Sequence, residues 1–242
     1  MAEFERNYAR SGTAADVRAV DEGLRSYMLR VYNYMGIGLA VTGVVAYTMA
    51  ALAMSNPAFA QAVYGSPLMW VIILAPLGMV FFLSFRIHKM SVSAAQTAFW
   101  IFAALMGASL SSIFLVYTGQ SITQVFFITA ATFGSVSLYG YTTKKDLSGW
   151  GSFLFMGLIG IIIAMVVNIF LASSALQFAI SVIGVLVFTG LTAYDTQQIK
   201  EMYYEGDSAL VAGRKAIMGA LRLYLDFINL FLMLLRLFGN RN

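Results

Sequence analysis

Seven apolar stretches, each 20 or more residues long, dominate this 242-residue chain. A helix of about 20 apolar residues spans the hydrocarbon core of a bilayer. A helix also satisfies its own backbone polar groups, which lipid cannot do. The stretches cover residues 31–54, 66–85, 94–117, 121–141, 150–171, 175–194 and 216–238. The sequence therefore predicts an all-α integral membrane protein with seven transmembrane helices.

The composition supports a surface that faces lipid. Hydrophobic residues make up 60% of the chain and charged residues only 11%, against about 25% charged residues in ordinary soluble domains. The net charge of +4 does not indicate a nucleic-acid partner, because the basic residues cluster at helix ends. The absence of cysteine excludes disulfides, thiolate catalysis and Cys-ligated metal sites.

Loop charges predict the orientation of the helices. The connections at 55–65, 118–120 and 172–174 contain no Lys or Arg, whereas the alternate connections are basic. Cytoplasmic loops of membrane proteins carry an excess of Lys and Arg. We therefore expect residues 1–30 to form a polar cytoplasmic segment and residues 31–242 to form the transmembrane domain. Seven crossings place the C-terminus outside, although a re-entrant last segment would return it to the cytoplasmic side.

Two carboxylates lie within or at the end of an apolar segment, and a charge at the bilayer centre costs at least about 2.5–3.5 kcal/mol. Asp195 closes the sixth segment, and Asp226 lies about 15 Å into the seventh at 1.5 Å per residue. Both are expected in the cytoplasmic half of the bundle, on the same side as Arg86. In one interpretation these charges are structural: Arg222 pairs with Asp226 four residues later, and Asp195 caps a loop.

In the other interpretation the two carboxylates form a sensor. Carboxylates within about 4–6 Å of each other tend to share a proton, because both cannot ionise at low cost. Acid favours the hydrogen-bonded pair, whereas higher pH leaves two charges that repel each other or attract Ca²⁺. This interpretation predicts a pH-gated cation path, with Asp195 and Asp226 as possible Ca²⁺ ligands.

Two motifs in these segments resemble the signature of the Bax inhibitor-1 family. Residues 188–200 read Phe-Thr-Gly-Leu-Thr-Ala-Tyr-Asp-Thr-Gln-Gln-Ile-Lys, and residues 223–231 read Leu-Tyr-Leu-Asp-Phe-Ile-Asn-Leu-Phe. The resemblance implies six helices around a central seventh and a pH-sensitive Ca²⁺ leak with a di-aspartyl sensor, Asp195 and Asp226. It also implies that Arg86 latches the closed state. Arg222, one turn before Asp226, departs from this pattern as an additional charge partner.

The resemblance also offers a function without ion flux. Bacterial relatives of the family are associated with a membrane-anchored quality-control protease, which they modulate, and the short loops of this chain are similar to those of prokaryotic members. The expected location is therefore the inner membrane of a bacterium. The expected partners are the bilayer and Ca²⁺, or alternatively a membrane protease complex.

Catalysis is not expected from this sequence. Two aspartates in a membrane would also suit an aspartyl protease, whose carboxylates share a proton and activate water. Neither aspartate has a Gly-x-Gly-Asp setting, and the chain lacks a His/Glu metal cluster and a serine–histidine pairing. We therefore expect no enzyme and no bound cofactor.

Overall fold

Helices account for nearly all of the chain. The computed structural model describes the backbone of residues 2–242 and the side chains of residues 21–242. The helices are α1 (Ala2–Ser55), α2 (Pro57–Tyr64), α3 (Leu68–Arg86), α4 (Val92–Leu110), α5 (Ile113–Val116), α6 (Gly119–Thr142), α7 (Ser148–Leu171), α8 (Ser174–Glu201) and α9 (Ala209–Phe238), with a 3-10 turn at Ile87–Lys89.

Seven segments are long and apolar enough to cross a membrane, which confirms the predicted fold class. They are the later part of α1 from Asp21, then α3, α4 together with α5, α6, α7, α8 and α9. Within residues 2–242, β-type backbone pairing occurs at one isolated antiparallel bridge, between Tyr117 and Arg241. The protein is therefore a multi-pass membrane protein.

Three segments differ in detail from the sequence prediction. Helix α1 runs without interruption through the boundary expected between residues 30 and 31. The third span divides into α4 and α5 at Ser111, whose hydroxyl bonds back to the Ala108 carbonyl oxygen and competes with the helical ladder. Helix α8 continues to Glu201, so Asp195 lies nearly two turns inside the helix rather than at its end.

Helix α9 forms the core of the bundle. It is 72% buried over its most apolar window, against 39% or less for every other span. It packs against α8, α1, α6 and α4, whereas α3 packs against α4 and α7 packs against α8. The arrangement of six helices around the seventh is therefore not confirmed: four spans enclose α9, and two pack on the outside of those four.

A buried polar contact joins three of these spans. The Thr42 hydroxyl of α1 lies 2.6 Å from the Tyr224 hydroxyl of α9 and donates to the Ala103 carbonyl oxygen of α4 at 2.8 Å. Tyr224 is fully buried, and the rings of Phe99 and Phe102 pack against it. A satisfied polar contact of this kind fixes the relative register of the three helices, because a shift would leave buried hydroxyls unpaired.

The C-terminal residues cross the far end of the bundle and pair with the connection between α5 and α6. The backbone N–H of Thr118 donates to the Asn240 carbonyl oxygen at 3.0 Å, and that of Asn242 donates to the Val116 carbonyl oxygen at 2.9 Å. The Asn240 N–H donates to the Ser121 hydroxyl. Helix α9 thus traverses the whole bundle, which favours seven crossings over a re-entrant last segment.

Close backbone contact between α6 and α8 depends on Gly140. A Cβ atom at this position would overlap the carbonyl oxygen of Ala193, which lies two residues before Asp195. By contrast, a Cβ atom at Gly134 of the same helix would meet nothing within 4 Å. The two glycines therefore form a matched pair, since only one of them is needed for helix packing.

We predict that Gly140→Ala destabilises the protein, because the methyl group separates α6 from α8. Overpacking of this kind costs about 1–3 kcal/mol. Gly134→Ala should be neutral or slightly stabilising, since alanine favours helix over glycine by roughly 1 kcal/mol. Thermal unfolding of both variants in detergent measures the difference. Equal melting temperatures for the two variants would contradict the close contact between α6 and α8.

Candidate functional site

Asp226 is the one carboxylate in the core of the bundle among residues 21–242. It lies on α9 and is 5% exposed, with the buried residues Leu223, Tyr224, Phe227 and Leu230 around it on the same helix. Its Oδ2 atom is buried and has no hydrogen-bond donor among the described residues. An ionised carboxylate left in this position would be costly, so a proton or an opposite charge must compensate it.

Asp195 of α8 is the neighbour of Asp226. Its carboxyl group is half-buried and lies within hydrogen-bonding reach of the Asp226 carboxyl group. Two carboxylates both accept hydrogen bonds, so this contact is favourable only when one of them carries a proton. The structure therefore brings together the two residues that the sequence singled out. Their role in sensing pH stays a prediction.

Arg222 is the charged group that acts on this pair. It lies one turn before Asp226 on α9, within electrostatic range of both carboxyl groups. Its side chain is exposed whereas Asp226 is buried, and among residues 21–242 the ion pair within 4.0 Å is Lys215 with Asp207 instead. The expected local ion pair between Arg222 and Asp226 is therefore absent. With one shared proton on the two carboxyl groups, the three side chains together are neutral.

Arg86 lies away from this site, which corrects the expected latch. It is exposed at the end of α3 and forms no ion pair with the described carboxylates. The reason is helix order: α3 packs against α4 on the outside of the bundle, whereas α8 packs against α9, α6 and α7. The sequence placed Arg86 at the correct end of the bundle, but helix ends alone do not determine which helices are neighbours.

A chain of hydroxyl groups next to Asp195 was not predicted from the sequence. The Thr196 hydroxyl lies 2.9 Å from that of Ser137 on α6, which in turn lies 2.7 Å from the Tyr32 hydroxyl on α1. Thr196 also donates to the Thr192 carbonyl oxygen at 2.7 Å. This chain ties α8 to α6 and α1 one residue after Asp195. The sequence feature that could have indicated this chain is the run of polar residues at the end of an apolar helix.

Gln197 fixes the connection between α6 and α7 to the same part of α8. Its side-chain oxygen accepts from the Leu147 N–H at 2.8 Å, and its side-chain nitrogen donates to the Lys145 carbonyl oxygen at 2.9 Å. Gln197 is 5% exposed. Because both of its polar atoms are paired, the glutamine holds the loop against the helix that carries Asp195.

Comparison with known proteins decides the family. The sequence model of the family described as "Inhibitor of apoptosis-promoting Bax1" matches residues 24–242. The chain belongs to the Bax inhibitor-1 family. The match includes every membrane span except the first residues of the first, as well as both aspartates and the hydroxyl chain.

Relatives of this chain include bacterial membrane proteins and bacterial proteins of uncharacterised function. The chain is 48% identical over 237 residues to an inner membrane protein of Escherichia coli (strain K12) called YbhL, covering 97% of this chain and 98% of that protein. It is 49% identical over 229 residues to a protein of Rickettsia prowazekii, covering 95% of each. It is 48% identical over 252 residues to a protein of Caulobacter vibrioides, covering 99% and 98%.

The site does not have the composition of a resident calcium site. Among residues 21–242, no group of three or more His, Cys, Asp or Glu side chains converges on one point. Ca²⁺ in proteins takes 6–8 oxygen ligands, and the Asp195–Asp226 pair supplies two carboxyl groups. A Ca²⁺ ion bound by this pair would therefore need water or other groups for most of its ligands.

We predict that Gln197→Ala loosens the connection between α6 and α7, because the Leu147 N–H and the Lys145 carbonyl oxygen both lose their partner. Each hydrogen bond lost where water can reach the freed group costs about 0.5–1.5 kcal/mol. Amide hydrogen exchange at residues 145–148 should accelerate, and the melting temperature should fall. Gln198→Ala is the matched control, since the Gln198 amide contacts only exposed groups. Equal exchange in the two variants would show that Gln197 does not hold the loop.

Proposed function

We propose that this protein is a pH-sensitive Ca²⁺ leak of a bacterial inner membrane, gated by the Asp195–Asp226 pair. The observation that carries the proposal is the contact between two carboxyl groups inside membrane-spanning helices, one of them in the core of the bundle. Such a pair is stable only with a shared proton, so its charge depends on pH. A purely structural role would not require two carboxyl groups here, because apolar side chains would fill the same space without needing a proton.

The net charge of the site depends on the number of protons bound by the two carboxyl groups. With one shared proton, the carboxyl pair and Arg222 sum to zero. Loss of this proton leaves two carboxylates in contact and a net negative site, which repels itself and attracts a divalent cation. Acid therefore favours the closed pair, and higher pH favours separation of α8 from α9 at this level.

The surroundings of the pair are consistent with a closed conformation. Beyond Asp226, towards the C-terminus, α9 presents the buried residues Phe227, Ile228, Leu230, Phe231 and Met233 to the enclosing helices. These apolar side chains offer no oxygen ligands to replace the water around an ion. Opening would require this part of α9 to separate from its neighbours, so we propose that α9 is the moving element.

The proposed orientation follows from the charges of the connections. The basic connections, including Lys144 and Lys145, lie at the end of the bundle where α8 ends and α9 begins. By the positive-inside rule this end faces the cytoplasm, together with the N-terminus and the aspartate pair. The C-terminal residues then lie outside. A protein of E. coli called an inner membrane protein is among the relatives, which supports the assignment to the inner membrane.

A second function, binding to and regulation of a membrane-anchored quality-control protease, is favoured by the polar N-terminal segment. Residues 1–30 contain five basic and five acidic side chains, and α1 continues through the end of this segment into the first span without interruption. A polar segment at the cytoplasmic end would offer a partner a binding surface without any ion flux.

We predict that Asp195→Asn and Asp226→Asn each lose most of the pH response of Ca²⁺ flux into liposomes, because an amide cannot share or release the proton. Arg222→Gln should require a higher pH for the same flux, since loss of a nearby positive charge makes the ionised pair more costly. Flux is measured with purified protein from mildly acidic to mildly alkaline pH, with folding checked by thermal unfolding.

Two variants serve as controls for charge removal. Asp146→Asn removes a carboxylate from the exposed connection before α7, where the Ser148 N–H lowers the pKa of Asp146, so that it stays ionised throughout the titration. Arg86→Ala removes the arginine outside the site. Both should keep the pH response. If the two site variants also keep it, the aspartates are structural and the regulatory function is favoured.

A further inference from the structure

An open groove lies between α1 and α6 on the side of the bundle. These two helices do not pack against each other extensively, although both pack against α9. The groove has a volume of about 590 Å³, within the range of roughly 300–1,000 Å³ that is usual for ligand sites. Phe227 of α9 forms part of its floor. Its walls are lined mostly by Met28, Leu29 and Met35 of α1 and by Ala130, Phe133 and Leu138 of α6.

Glycines keep the groove open. Gly36 of α1 and Gly134 of α6 both line it, and a Cβ atom at either position would meet nothing within 4 Å. Other glycines in the same bundle, such as Gly140, are in close contact with a neighbouring backbone. The two groove glycines are therefore not required for helix packing, and side chains added there would extend into the groove.

The dimensions of the groove match one lipid chain. It extends along α1 from Arg25 to Gly36 and along the antiparallel α6 from Tyr141 to Ala130, which is about 16 Å at 1.5 Å per residue. This is roughly half of the 30 Å hydrocarbon thickness of a bilayer, or one leaflet. An extended acyl chain is much thinner than a transmembrane helix, which is about 10–12 Å across with its side chains.

The two ends of the groove differ in charge. Arg25 and Tyr141 line one end of the groove. The Lys200 ammonium group lies 2.8 Å from the Tyr141 carbonyl oxygen and 5.3 Å from the centre of its ring. The end near Gly36 and Ala130 is apolar. An apolar channel one leaflet long with two cations at one end is complementary to a phospholipid with an anionic headgroup, because anionic lipids attract Lys and Arg near the membrane surface.

We propose that this groove binds one acyl chain of an anionic phospholipid of the surrounding bilayer, with the headgroup at Arg25. The lipid would lie against Tyr32 and Ser137, which line the groove and form the hydroxyl chain to Thr196. The site is distinct from the Asp195–Asp226 pair, and its occupation does not require that the protein conducts ions.

The test is lipid retention by the purified protein, measured by native mass spectrometry after exposure to equal amounts of phosphatidylglycerol and phosphatidylcholine. The unmodified chain should retain one phosphatidylglycerol in preference to phosphatidylcholine. The double substitution Gly36→Leu with Gly134→Leu should reduce this retention at least about fivefold, because the leucines fill the groove. Arg25→Gln should still retain lipid but lose the preference for phosphatidylglycerol.

Gly160→Leu is the matched control. Gly160 lies on α7, a Cβ atom there also meets nothing within 4 Å, and leucine is a better helix former than glycine. This variant should retain phosphatidylglycerol like the unmodified chain. The proposal is overturned if the double variant retains as much lipid as the control, or if the unmodified chain does not discriminate between the two lipids. If the unmodified protein and the control form a dimer that the double variant does not form, the occupant of the groove is instead a second copy of this chain.

Discussion

The buried carboxyl group of Asp226 is the constraint on which the rest of this structure depends. It lies in the core of a membrane protein, on the most buried helix, and one of its oxygens has no donor among the described residues. The carboxyl group of Asp195 is the group within its reach. Because both groups accept hydrogen bonds when ionised, the closed bundle requires a proton between them. Binding or release of that proton therefore acts directly on the contact between α8 and α9.

The bundle holds the two aspartates in place with polar contacts at three levels. The Thr42–Tyr224 contact fixes α9 against α1 and α4, and the C-terminal residues fix the far end of α9 to the connection before α6. The hydroxyl chain from Thr196 to Tyr32 fixes α8 against α6 and α1. In lipid, apolar packing alone gives little preference for one helix register, so polar contacts and close glycine contacts supply the specificity.

Much of this architecture was predictable from the sequence, because lipid restricts a chain to long apolar helices. The seven spans and the family were predicted correctly, and so was the presence of two aspartates near one end of the bundle. The position of Arg86 was not predictable, since charge and helix order do not show that α3 packs outside α4. The groove between α1 and α6 was not predictable either, because the sequence does not show that Gly36 faces open space rather than a neighbouring helix.

The central claim, a proton shared by Asp195 and Asp226, is tested most directly by infrared difference spectroscopy of the protein in lipid during a pH titration. A protonated carboxyl group has a carbonyl stretch that is separate from the carboxylate bands. The account predicts one such band per chain at acidic pH, lost on titration to alkaline pH and altered in both Asp195→Asn and Asp226→Asn. A spectrum in which neither substitution affects any protonated carboxyl band would contradict it.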